Sequence, residues 1–154
     1  NALKSGVLAG YPVDSLKVTL LDGSYHTVDS DQLSFEVCAI QAYKSACLKA
    51  NPVLLEPIGE LKVTIPEAMV GDVMGDINGK RRGAVLGMNP SQERPGYTTI
   101  EAEVPKSEMT DYAIALLAIT QGRGSFVYNV TRYDEVPSNI AQKVIAEAKA
   151  SEDK

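Results

Sequence analysis

The sequence predicts an α+β protein in two parts, a truncated βαβ-type domain followed by a βαββαβ sandwich and a C-terminal helix. Three observations predict this. Period-two and 3.6-residue apolar patterns succeed one another along the chain in a readable order. A proline-bearing link near Glu56-Pro57 separates the two series. A content of 44% hydrophobic residues in 154 suits packed domains rather than a disordered chain.

The first element is "LKVTLL" at 16–21, where Leu16, Val18 and Leu20 alternate with Lys17 and Thr19, the pattern of a half-buried strand. "DGSYHTVD" then reads as a turn, Asp22-Gly23 supplying the backbone freedom to leave the strand. Asp29 or Ser30 is placed to cap the next element, with Gln32 positioned for a capping-box contact. Phe35, Cys38, Ala39, Ala42 and Ala46 recur at helical spacing, so 31–50 is predicted as a helix whose small face lies close on a sheet, ended by Asn51-Pro52.

In the second part, Leu61, Val63 and Ile65 alternate in a strand that follows the link. After Pro66 the positions of Met69, Val70, Val73, Met74 and Ile77 predict a helix stopped by Asn78-Gly79. Gly71 and Gly75 within it are expected to allow close packing of that helix on the sheet, because Asp72 and Asp76 argue against a membrane dimer motif. Strands at 83–88 and 97–104 flank a loop rich in Pro, Ser and Gly and form a hairpin. Ser107 is the expected cap of a helix carrying Met109, Tyr112, Ala113, Leu116, Leu117 and Thr120, which Gly122 stops. "SFVYNVTRY" at 125–133 is the last strand, and the order from 57 to 133 is the ferredoxin-like one. Ser138 caps a terminal helix with Ile140, Val144, Ile145 and Ala148 on one stripe. The expected division is therefore 1–55, 56–136 and 137–154.

Charge and motifs narrow the function. The formal charge is −5, and no segment is a basic tail, so any RNA contact must come from local patches. Cys38 and Cys47 fall nine residues apart in one helix, about 13 Å along its axis at ~1.5 Å per residue, too far to bridge. No CxxC pair, signal peptide or run of about 18 apolar residues occurs, which points to a reducing cytoplasm and no membrane. The start at Asn1 rather than Met suggests a piece of something larger.

No phosphate loop, GxSxG or HExxH motif is present, and one histidine cannot build a triad or a histidine-based metal site, so no catalytic or metal residue is expected. Two features remain. Lys80, Arg81 and Arg82 in "GKRRG" form either a solvated turn or a phosphate contact. His26, with Tyr25 beside it, is either an ordinary surface residue or part of a turn that offers stacking faces and hydrogen bonds to unpaired bases or a minor groove.

The blocks "LAGYPV", "KVTLLDGSYHTVDS", "PVLLEPI", "GDVMGDINGKRRG", "EAEVPKSEM", "TQGRGSF" and "YDEVPSNIAQKVI", in this order, resemble the C-terminal portion of bacterial elongation factor G. The resemblance runs from about Gly6 to Ala148 and implies the end of domain IV up to about Pro52, then a ferredoxin-like domain V. The chain departs from the common family pattern at Asp14-Ser15, Thr27 and Asp31.

The resemblance also implies that Gly23, Ser24, Tyr25 and His26 form the tip of domain IV, which during translocation reaches the tRNA–mRNA duplex at the A site of the small ribosomal subunit. Domain V would face large-subunit rRNA, with Arg81 and Arg82 as the contact expected there. The implied parent is a cytoplasmic, monomeric, ribosome-binding GTPase whose GTP and magnesium sit in an N-terminal domain, so these residues would hold no cofactor and hydrolyse no GTP. The alternatives are a sibling factor in ribosome recycling or protection, and a stand-alone ferredoxin-like regulatory module that binds a metabolite and dimerises.

Overall fold

A computed structural model describes residues 2–152. In chain order its main elements are α1 (Gln32–Lys49), β1 (Leu55–Pro66), α2 (Val70–Lys80), β2 (Ala84–Pro90), β3 (Tyr97–Pro105), α3 (Tyr112–Thr120), β4 (Ser125–Glu135) and α4 (Ser138–Glu152). Short 3-10 turns at Glu67–Met69 and Lys106–Met109 lead into α2 and α3. The chain forms two compact units: Leu55–Glu135 is one, and the segments before and after it make the other.

The unit Leu55–Glu135 is a four-stranded antiparallel sheet in the order β2-β3-β1-β4. Its long central strand β1 pairs on both sides, Leu61 opposite Ala102 of β3 and Tyr128 of β4. Alternation does the rest: Leu61, Val63 and Ile65 share a face with Ile100, Ala102 and Val104, and all six are buried. Val73 and Ile77 of α2 and Tyr112 and Leu116 of α3 belong to the same core. Each fully buried aliphatic side chain contributes roughly 1.5–3 kcal/mol, so this single cluster supplies the drive for folding. The ring of Tyr112 meets Phe126 edge-on at 5.0 Å, adding a directed aromatic contact to it.

Helix ends in this unit are set differently from the sequence expectation. α2 does not stop at Asn78-Gly79 but continues to Lys80, and the left-handed residue is Arg82 at φ 49°. Two ion pairs hold that conformation, and Gly83 follows because a Cβ there would lie 2.6 Å from Cγ2 of Ile77. Ser107 does not cap α3; a 3-10 turn occupies its place, Asp111 is the residue before the helix, and Ser107 Oγ instead accepts from Arg82. At the other end Gln121 and Gly122 are left-handed, and the Gly122 N–H donates to Leu117 O, as the stop at Gly122 predicts. Gly71 and Gly75 are not packed on the sheet: a Cβ at either would meet nothing within 4 Å. They lie on the side of α2 away from the buried Val73 and Ile77.

The other unit contains α1 and α4. α1 falls where its periodicity places it, but its N-cap is Asp31, which accepts the Ser34 N–H at 2.7 Å, rather than Asp29 or Ser30. No capping-box bond from Gln32 forms. Asn51 leaves the helix with φ 56°, ahead of Pro52. The predicted strand at 16–21 is absent: the segment has no regular structure and no ladder partners, and Val18, Leu20 and Leu21 are exposed. Alternation supplies a face to bury, but a strand also needs a neighbour for its N–H and C=O groups, and among the described residues none lies beside it. For the same reason the expected small face of α1 is uncovered; Cys47 is its buried residue, and Phe35 and Cys38 are exposed. Both cysteines are free.

Candidate nucleic-acid interface

The turn falls at Thr27–Asp29 rather than at Asp22-Gly23, and residues 22–26 lead into it without regular structure. Asp22 Oδ1 accepts the Gly23 N–H at 2.7 Å, and no atom stands within 4 Å of where a Gly23 Cβ would be. Gly23, Ser24, Tyr25 and His26 are all exposed, Tyr25 to 75%. Behind them the His26 N–H donates to Ser30 Oγ at 2.7 Å, and the Ser30 N–H donates back to the His26 carbonyl at 3.1 Å. This reciprocal pair closes residues 26–30 into one ring of bonds directly before α1.

The imidazole of His26 is engaged at Nδ1. The Val28 N–H points at it from 3.4 Å, and Asp29 Oδ2 lies 3.3 Å away. Asp31, two residues on, is fixed by Ser34, whose hydroxyl and N–H hold its carboxyl below the usual carboxylate range. A negative charge at that position also suits the positive end of the α1 dipole. The arrangement is an exposed phenol and imidazole on a turn braced from its helix side. Such a pair can stack on bases and exchange hydrogen bonds with them.

Arg81 and Arg82 are placed otherwise. Arg81 is 5% exposed; its Nε donates to Asp76 Oδ2 at 2.6 Å, and its Nη1 donates to Asp111 Oδ1 at 2.8 Å and to the Glu108 carbonyl. Its guanidinium carbon stands 4.9 Å from the centre of the Tyr112 ring. Burial works against the charge, but the carboxylates of Asp111 and Asp76 prevail and hold it above its ordinary pKa. Arg82 makes a two-pronged pair with Glu56 at 2.8 and 2.9 Å and a third bond to Glu108 Oε1 at 2.9 Å. Hydrogen bonding by Glu56 raises its pKa further. The Arg81 guanidinium is thus enclosed within the unit, whereas that of Arg82 is paired and keeps about a quarter of its side chain exposed, at 26%.

Sequence reasoning missed this clamp. A signal existed in Asp76, which sits beside Val73 and Ile77 on the inward side of α2 and needs a cation when buried. Lys80 keeps an exposed ammonium, 3.9 Å from Asp76. Among the described residues no group of three metal-ligating side chains occurs. None of the helices described there is long and apolar enough to cross a membrane.

Comparison with known proteins gives a consistent picture. The family described as elongation factor G, domain IV, matches residues 1–51, and that described as elongation factor G C-terminus matches 53–144. An elongation factor G of Aquifex pyrophilus is 49% identical over 150 residues, 97% of this chain and 21% of that protein. An elongation factor G-like protein of Thermotoga maritima is 52% identical over 147 residues, 96% of this chain and again 21% of that protein. A crystal structure of a protein from Thermus thermophilus superposes with a TM-score of 0.77 at 42% identity, covering 97% of this chain and 22% of that one. The chain therefore spans about a fifth of the length of these relatives.

Proposed function

Because this chain belongs to the elongation factor G family, we propose that it is the ribosome-contacting C-terminal part of a cytoplasmic translation factor that promotes movement of tRNA and mRNA. Its tip residues Gly23, Ser24, Tyr25 and His26 enter the A site of the small ribosomal subunit to touch the tRNA–mRNA duplex. The observation that carries this reading is the exposed Tyr25-His26 pair on a turn braced by Ser30, within a segment that matches domain IV.

The charge pattern suits a contact that forms and breaks in every cycle. Binding through many phosphate contacts is strong and falls steeply with salt. A chain of net charge −5 with a small aromatic tip avoids that regime. GTP binding and its magnesium ion belong to a part of the factor outside these residues, and large-subunit rRNA is met by the unit Leu55–Glu135, where Arg82 is the more exposed of the two candidate arginines. The factor acts as a monomer.

In a full-length factor carrying this chain, His26→Ala slows translocation while ribosome-stimulated GTP hydrolysis stays near normal. Rapid kinetics of both steps test this, and an unchanged translocation rate would count against the tip role. A sibling factor in ribosome recycling is the second reading. A recycling assay run beside the translocation assay separates the two.

A further inference from the structure

We infer that His26 presents its Nε2–H outward as a hydrogen-bond donor to an acceptor atom of RNA, and that Ser30 and the Val28 N–H are the groups that position it. The inference rests on the reading of this turn as an RNA contact, and it adds which atom of the ring makes the contact and what chemistry it meets.

An N–H can donate only to a nitrogen that carries a lone pair, and the Val28 N–H is directed at Nδ1 from 3.4 Å. A neutral imidazole with its lone pair on Nδ1 carries its proton on Nε2. Asp29 Oδ2, the titratable group in contact with the ring, lies 3.3 Å from the same Nδ1. When the ring is charged, Nδ1–H turns to that carboxylate and Nε2 keeps its own hydrogen. Nε2 is thus a donor in both protonation states.

Ser30 controls where this donor points. Its hydroxyl takes the His26 N–H and its own N–H returns to the His26 carbonyl, so the backbone on which the ring is hinged is tied at both its polar groups. Ribose oxygens, phosphate oxygens and the lone pairs of base edges are the acceptors such a group can meet. An amino group of a base is not.

Two measurements test the inference. In the 154-residue chain His26 is the sole histidine, so nitrogen NMR of the ring is free of overlap. The Nε2–H tautomer with Nδ1 bonded to the Val28 amide is expected, and an Nδ1–H tautomer held by Asp29 overturns the inference. In the full-length factor, His26→Ala slows translocation roughly 3- to 10-fold, the range of one neutral hydrogen bond. His26→Gln, whose amide nitrogen reaches the Nε2 position, restores the rate to within about twofold, whereas His26→Asn, which reaches only the Nδ1 position, does not.

Ser30→Ala slows the factor with His26 present and adds nothing once His26 is alanine, a pattern that mere loss of stability does not give. Equal rates for Gln and Asn, or an additive Ser30 effect, refute the inference and leave the tip reading standing. A His26→Ala factor at full speed removes the tip reading itself, and the inference with it.

Discussion

Asp76 is 6% exposed and its carboxylate meets the Arg81 guanidinium at 2.6 Å, so the buried carboxylate depends on that cation. Removing one partner of a buried pair strands the other, at a cost of about 3–5 kcal/mol. Arg81→Ala should therefore lower the urea-unfolding free energy of the chain by that amount. Arg82→Ala, whose guanidinium is itself more exposed than that of Arg81, should cost less, roughly 1.5–3 kcal/mol for its lost charged hydrogen bonds.

Acid acts on the same residues. Arg81 hydrogen-bonds Asp111 and Arg132 hydrogen-bonds Glu103, holding both carboxyls below their ordinary values. A depressed folded-state value contributes stability that is present above the unfolded pKa, about 4, and is lost as pH falls through the folded one. Thermal melting should fall off below about pH 4, and less so in Asp111→Asn. A run of basic residues in a sequence gives its charge but not its partners, which here lie 26 to 30 residues away for Glu56, Glu108 and Asp111. That is why "GKRRG" left a solvated turn and a phosphate site both open, while the structure shows an internal clamp.

Helix α2 and the turn that follows it hold two kinds of glycine, and their energetics have opposite sign. Gly75 faces open space in a helix interior, so Gly75→Ala should stabilise by roughly 0.5–1 kcal/mol. Gly83 lies against Ile77 and Val104, so Gly83→Ala overpacks the core and should cost about 1–3 kcal/mol. Parallel denaturation of the two variants checks the pair, and a destabilised Gly75→Ala would mean that the outer face of α2 is covered. The helical wheel carried the direction of Gly71 and Gly75, since they fall opposite Val73 and Ile77 at about 100° per residue. Spacing between glycines alone does not. The strand at 16–21 failed for a different reason: its alternation is a local property, whereas the ladder that makes a strand is supplied by another segment. β1, β3 and β4 were legible because both their pattern and their partners lie within the one stretch Leu55–Glu135.

At the scale of the molecule the two units should differ in how firmly they hold their backbone. Leu55–Glu135 has a closed core and a hydrogen-bonded sheet, whereas residues 14–26 have no ladder at all. Hydrogen exchange should find the amides of β1 and β3 slowest and those of 16–21 close to unprotected rates. Protection across 16–21 would show that the segment has found a neighbour. The fold of the second unit could be read from periodicity, and the tip could be read only as an aromatic turn; naming its partner needed the resemblance of whole blocks, because a lone imidazole beside a phenol specifies no RNA by itself.

The claim on which the rest depends is that this turn reaches RNA of the decoding region. A full-length factor with a photoreactive phenylalanine analogue in place of Tyr25, bound to ribosomes carrying tRNA and mRNA and then irradiated, tests it directly. The account predicts adducts to A-site tRNA, mRNA or decoding-region rRNA. Adducts confined to large-subunit RNA or to ribosomal proteins would contradict it.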